Sequence, residues 1–202
     1  RPYTNLIPKP LVPVGNKKAI LEIIIDQLSK SGFNHVTITI NHFSKLIQSY
    51  FGTGKKFNLR IDYTEEKKTL GTFAPLLLVK DLPNNFLVLN GDTLTNLNYK
   101  KFLKNHIKSK AEVTVGSTKR VEKLNYGILK FKNNKLLNFK EKPNMEMYVG
   151  IGIYALNKKV LNTYYKKQIR KIDFNEFLEN RIKLKKITKI YDFKGSWFDI
   201  GN

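Results

Sequence analysis

Residues Phe86-Leu87-Val88-Leu89 run without interruption into Asn90-Gly91-Asp92. A short continuous apolar run of this kind reads as a strand buried on both faces, as in a parallel sheet. Gly91 lets the backbone turn sharply where the strand ends. Asp92 then stands at the carboxyl edge of the sheet, where open α/β folds bind ligands. Two readings of Asp92 are open at this point. It caps the next segment or closes a turn, as Asp commonly does, or it holds a metal ion.

The chain has 202 residues, enough for one domain with a substantial core, and its 41% hydrophobic content predicts a folded protein. No apolar run is long enough to span a bilayer and no signal-peptide pattern is present, so no membrane partner is expected. The lack of cysteine excludes disulfides and thiolate–metal sites and fits a cytoplasmic protein. His35, His42 and His106 show no metal-ligand spacing. Lys+Arg number 37 against 16 acids, a net charge of +21. Such a charge would favour nucleic acid through counterion release. However, the basic pairs (Lys17-Lys18, Lys55-Lys56, Lys100-Lys101, Lys166-Lys167, Lys185-Lys186 among them) recur between apolar segments. They are not gathered in one tail or helix, and no nucleic-acid motif accompanies them. A solvated lysine-rich surface is the expectation, with no nucleic-acid partner; a phosphate-rich small substrate would gain from the same field.

Apolar periodicity predicts a helix over Ala19–Ser31, stopped by Gly32, and a strand over Val36–Ile40. A helix over Phe43–Phe51 ends at Gly52, and a strand follows over Leu59–Tyr63. A short helix over Thr72–Val79 starts directly after Gly71; a further helix covers Tyr99–Ile107 and a strand Ala111–Gly116. This alternation implies a parallel sheet with helices on both faces. The second half differs. Tyr126–Phe131 and Leu136–Phe139 flank a polar turn and read as a hairpin, followed by a strand over Tyr148–Ala155. Leu161–Tyr165 and Phe174–Ile182 look helical, and short strands over Ile187–Phe193 and Trp197–Ile200 close the chain. One domain spanning residues 1–202 is expected. A nucleotide-type half covers about residues 1–118 and a more antiparallel half about 119–202.

Four further constellations carry polar groups at element ends. Pro8 and Pro10 stiffen the backbone around Lys9 and hold it extended, ready to place its ammonium on a phosphate. A surface lysine in a proline-rich loop is the plainer alternative. In Glu65–Thr72, Gly71 permits close backbone approach to a planar ligand and Glu66 could accept hydrogen bonds from a base edge. Equally, Thr69 or Thr72 could be a helix cap beside solvated acids. Glu141 and Lys142 precede Pro143 and point to opposite faces if the strand continues through them, or form a solvated pair. Asp199 is an isolated acid beside Trp197, Phe198 and Ile200, costly unless paired, hydrogen-bonded or metal-bound. Two carboxylates from distant strands can hold one Mg²⁺ and leave positions for phosphate oxygens.

In order, the chain presents K-P-L, then E-E-x-x-x-L-G-T, N-G-D, Y-G-x-L, E-K-P and W-x-D-I-G. This combination resembles the sugar-1-phosphate nucleotidyltransferases over nearly the whole chain, and the mannose-1-phosphate guanylyltransferase-like subgroup most. The stretch Tyr148–Tyr154 looks like the family's strand after E-K-P. The resemblance implies a Rossmann-like α/β fold whose mixed, mainly parallel sheet carries helices on both faces and a more antiparallel sugar-binding half. It implies transfer of a nucleotidyl group from a nucleoside triphosphate, GTP by resemblance, to a sugar 1-phosphate, for polysaccharide or glycoconjugate synthesis. Asp92 and Asp199 would hold Mg²⁺, and Lys9 would contact the triphosphate. Lys142 would hold the sugar phosphate, Glu141 the sugar hydroxyls, and Gly127 would sit against the sugar. Glu66, Gly71 and Thr72 would line the base and ribose site. The oligomeric state is open, a homo-oligomer included.

The chain also departs from the family pattern. The family opens with a strand in the middle of the sheet and a loop of type G-G-x-G-T-R-L-R-P, of which Arg1-Pro2 matches the last two residues. Arg1 is not the family's catalytic arginine. The N-terminal strand and glycine-rich loop are therefore expected to be missing and the sequence truncated at both ends; a protein complete as it stands is expected to show no turnover. Phe73-Ala74 stands where the family usually has Ala-Gly, so Phe73 narrows the base site or packs in the core, and Gly150 replaces a common Asn. A non-catalytic, nucleotide-binding regulatory subunit is the second reading, and an RNA-binding protein the third.

Overall fold

The structure is a computed structural model that describes residues 8–15, 18–41, 43–165 and 169–200. Arg1, Pro2, Ile7, Lys17, His42, Lys166, Lys167, Gly201 and Asn202 lie outside them.

Between residues 19 and 65 the alternating first half folds as its periodicity predicts. A two-residue hairpin, β1 (Pro13–Val14) with β2 (Lys18–Ala19), leads into α1 (Ile20–Lys30). Strand β3 (His35–Ile40) lies parallel to β4 (Arg60–Glu65), with α2 (Ser44–Phe51) in the crossover between them. Helix α1 has apolar residues on two sides. Ile20, Ile24 and Leu28 pack in one core, and Leu21 and Ile25 in another with Ile38, Ile47, Phe51 and Ile61.

The main sheet is mixed. Its long strand β10 (Asn144–Asn157) runs antiparallel to β5 (Asn85–Leu89) on one side and to β7 (Val113–Lys123) on the other; β11 (Lys189–Asp192) adds parallel to β7. Strand β7 runs through the boundary expected near residue 118, so the two halves share this sheet. Helix α3 (Tyr99–Lys108) contributes Tyr99 and Phe102 to a core with Ile151 and Ile153 of β10. A third core gathers Phe73, Leu76, Phe86, Val113, Leu156 and Leu161 with Phe174 and Phe177 of α5 (Phe174–Lys183); α4 (Asn162–Tyr165) lies just before it. Phe73 is fully buried and stacks on Phe177 with ring centroids 4.0 Å apart, which assigns it to the core.

Several local expectations are corrected. Strand β5 is not buried on both faces: Phe86 is buried, but Leu87, Val88 and Leu89 are only half-buried. One edge of β5 bonds to β10, while residues 86–92 and residues 36–39 of β3 line a common cavity of about 840 Å³. Among the described residues no strand pairs with the second edge of either β3 or β5. The helix expected over Thr72–Val79 is a 3₁₀ helix, Ala74–Leu78, with Pro75 in its first turn; proline has no N–H to give an α-helical ladder. Lys9 is not extended but opens a 3₁₀ turn, Lys9–Leu11. The hairpin is β8 (Ile128–Lys132) and β9 (Lys135–Lys140), turned by Asn133 and Asn134, both at positive φ. Strand β9 stops at Lys140 and Lys142 has φ +42°, so Glu141 and Lys142 do not alternate across a strand. Among the described residues no helix is long and apolar enough to cross a membrane.

The pairing of β10 with β7 slips between Gly150, opposite Ser117, and Tyr154, opposite Val115. Gly152 lies in this bulge with φ +68°, a conformation that side chains rarely adopt. A Cβ there would stand 2.7 Å from Asn90 Nδ2. Gly152→Ala is therefore expected to lose about 1–3 kcal/mol of stability. A lower urea midpoint with an unchanged slope is the expected signature, and a native midpoint would contradict this account.

Candidate active site

The Asn90-Gly91-Asp92 turn is built from its backbone outward. Asn90 N–H donates to Gly152 O at 2.9 Å, which ties the end of β5 to the bulge of β10. Gly91 does not have positive φ, and a Cβ there would lie in ordinary contact, 3.7 Å from Pro10 Cγ, so neither conformation nor space requires a glycine at this turn. The left-handed glycine at this junction is Gly152, in the bulge of β10.

After the turn, β6 (Thr93–Thr95) pairs antiparallel with β12 (Trp197–Asp199), and Asp199 stands opposite Thr93. Ile200 N–H donates to Asp92 O at 3.2 Å. Asp92 and Asp199, far apart in the chain, are thus neighbours on a two-stranded ribbon. Three bonds hold the ribbon at its other end. Thr95 Oγ1 donates to Ser196 O at 3.0 Å, Ser196 N–H to Asn96 Oδ1 at 2.8 Å, and Trp197 Nε1 to Ile151 O at 3.1 Å. The Arg120 guanidinium lies 4.7 Å from the centre of the Trp197 ring.

Lys9 Nζ donates to Asp92 Oδ2 at 2.6 Å. The two side chains are 35% and 25% exposed, so the pair is worth about 0.2–1 kcal/mol. Lys9, Pro10, Gly71, Thr72, Asn90, Gly91 and Asp92 all line the cavity between β3 and β5. The structure therefore places Lys9, Gly71, Thr72 and Asp92 on one cavity; Asp199 adjoins Asp92 through the ribbon but, like Glu66, is not among the residues that line it.

Gly71 and Thr72 are held by a residue that the sequence did not single out. Gly71 has φ +85°, and a Cβ there would meet Asp173 Oδ1 and Ile172 O, both at 2.7 Å. Thr72 N–H donates to Asp173 Oδ1 at 2.9 Å, and Thr72 Oγ1 accepts from Phe174 N–H at 2.9 Å. Asp173 is the N-cap residue of α5, yet it makes no side-chain cap bond to that helix. An Asp before an apolar helical run was the available signal, but capping alone would not point across the fold. Glu66 Oε2 accepts from Leu70 N–H at 2.9 Å and so closes the loop before Gly71.

Gly127, Glu141 and Lys142 are not among the residues that line this cavity. Gly127 lies against Phe139 and Glu141: an added Cβ would be 2.6 Å from Phe139 Cε2 and 2.9 Å from Glu141 Oε2. Glu141 and Lys142 are exposed. Gly127 and Glu141 thus meet at the open end of the hairpin, just before β8 and just after β9.

Among the described residues, no three His, Asp or Glu side chains gather around one point. Mg²⁺ does not need such a cage, because one or two carboxylates and substrate phosphates suffice. The donor chemistry fits a cation, and a cation, the Lys9 ammonium, already rests on Asp92.

A family model described as Nucleotidyl transferase matches residues 1–202. Over 215 aligned residues the chain is 33% identical to the mannose-1-phosphate guanylyltransferase catalytic subunit beta of Dictyostelium discoideum, covering 100% of the chain and 57% of that protein. It is 29% identical to a UTP–glucose-1-phosphate uridylyltransferase of Synechocystis, covering 80% of the chain and 47% of the relative. The chain thus spans about half the length of these curated relatives. Among solved structures, HddC from Yersinia pseudotuberculosis complexed with GMP-PN shares the fold at a TM-score of 0.73 and 22% identity. That match covers 97% of the chain and 85% of HddC. With a family model matching along its whole length, the chain belongs to the Nucleotidyl transferase family.

Proposed function

We propose that this protein transfers a nucleotidyl group from a nucleoside triphosphate to a sugar 1-phosphate, forming a nucleotide-sugar and pyrophosphate. The observation that carries the reading is that Lys9, Gly71, Thr72 and Asp92 line one cavity, while the β6–β12 ribbon brings the backbone of Asp199 next to that of Asp92. GTP is the proposed donor. Its support is the name of the Dictyostelium relative, while the Synechocystis name points to another base.

In this reading the chain positions reactants and neutralises charge, with no covalent enzyme intermediate. Asp92 and Asp199 would hold Mg²⁺, which when bound supplies charge neutralisation and a template for phosphate oxygens. The Lys9 ammonium binds the triphosphate as a compact point charge. Glu66, Gly71 and Thr72 serve the base and ribose side: Gly71 and Thr72 line the cavity, and Glu66 keeps their loop closed. Just beyond the hairpin, Lys142 binds the phosphate of the sugar and Glu141 its hydroxyls, with Gly127 against the sugar. The sugar-phosphate oxygen then attacks the α-phosphorus in line, and pyrophosphate leaves. The +21 net charge favours arrival of both anionic reactants.

Pyrophosphate release, measured on the protein at its natural full length with each nucleoside triphosphate and a panel of sugar 1-phosphates, tests the reading. Release with a matched pair is expected, fastest with GTP; no release with any pair would sink it. Asp92→Asn and Asp199→Asn should each lower Mg²⁺-dependent turnover by roughly a hundredfold or more with the fold retained by circular dichroism. Native turnover in both variants would remove the metal assignment.

A further inference from the structure

Lys9 and Asp92 are the two groups assigned above to the triphosphate and to the metal, yet each has the other as its partner, at 2.6 Å. We propose that Lys9 is an internal counter-cation, which occupies the metal carboxylate and keeps free divalent ions off it until a triphosphate draws the ammonium away. The proposal rests on the reading of Asp92 as a metal ligand.

Three observations carry it. First, the backbone under Lys9 is anchored. Leu11 N–H donates to Pro8 O at 2.8 Å, Val12 N–H to Lys9 O at 3.1 Å, and Pro10 lies beside Gly91. The mobile part is the four-carbon stem of the lysine, which can swing without moving the turn. Second, the pair is reachable from solvent on both sides, so the ammonium can leave without local unfolding. Third, Lys9 and Asp92 line the same cavity as Gly71 and Thr72, so an anion entering there meets the ammonium while it still sits on Asp92.

The consequence is a coupling between ligands. An ammonium on Asp92 repels a divalent cation and competes for the same oxygen. A triphosphate offers Lys9 several negative charges in place of one. Once Lys9 has moved, the repulsion becomes distance, and Asp92 is open to the cation. By linkage, the triphosphate and the divalent ion must each raise the other's affinity by the same factor. Lys9 then has two duties: it binds the triphosphate, and it makes metal binding wait for it.

Mn²⁺ binding to nucleotide-free protein, read from the electron paramagnetic resonance signal of the free ion, tests this. Lys9→Met keeps the stem and removes the charge, and should bind Mn²⁺ about tenfold more tightly than the native protein. Adding Asp92→Asn should abolish that gain. Lys9→Gln serves as a second variant should Lys9→Met fail to fold. Equal Mn²⁺ affinity in native and Lys9-substituted protein overturns the proposal. In that event, Mn²⁺ retained by native protein loaded with a non-hydrolysable triphosphate, and lost in Asp92→Asn, would leave the metal reading standing. A gain that survives Asp92→Asn places the ion elsewhere and overturns the proposal and the metal reading together.

Discussion

The candidate site hangs on one backbone contact, between Asn90 and the bulge at Gly152. Strand β5 ends where Asn90 N–H meets Gly152 O, and the close approach is open only to a residue without a side chain in that left-handed conformation. The bulge shifts β10 against β7, so the segment before it extends toward the hairpin while the segment after it pairs with β5. Asn90 in turn sets where Asp92 leaves the sheet. A residue sixty positions away in sequence therefore aims the turn that carries the carboxylate.

Charge placement follows from the same frame. Asp92 and Asp199 are joined through β6 and β12, not through a cluster of acids within one segment. The Lys9–Asp92 pair is partly exposed and individually weak, a contact suited to exchange rather than to stability. The surrounding lysines provide a general field for anions, but they do not set the geometry. That geometry comes from hydrogen bonds between backbone groups and short side chains: Asn96 with Ser196, Thr72 with Asp173, Glu66 with Leu70.

The fold was legible where one element buries one face. The apolar spacing of Ile20, Ile24 and Leu28 predicted α1, and the alternation of residues 36–40 predicted most of β3. The Asn133-Asn134 turn was likewise readable, because Asn tolerates positive φ. Legibility failed where a neighbour decides. The apolar run of β5 looked buried on both faces, but its exposure depends on which strands lie beside it. Phe73 could have faced the base site or the core, and the stack on Phe177 settles it. Asp173 was not singled out by the sequence, and only the packed fold brings its carboxylate to Thr72.

By itself, the sequence determined which residue types stand at the strand ends, and in what order: Lys9, Asn90-Gly91-Asp92, Glu141-Lys142 and Asp199. That order carries the family membership, since family motifs are local strings of residue types. The tertiary structure alone decided which of them meet. Asp92 met Asp199 through a strand pair more than a hundred residues apart in sequence, and met Lys9 through a side-chain contact. Glu141 and Lys142 follow the β8–β9 hairpin and do not line the cavity. The reason is physical: local propensity acts within a few residues, whereas strand pairing and charge contact act across space. Their partners are chosen only when the chain has packed its core.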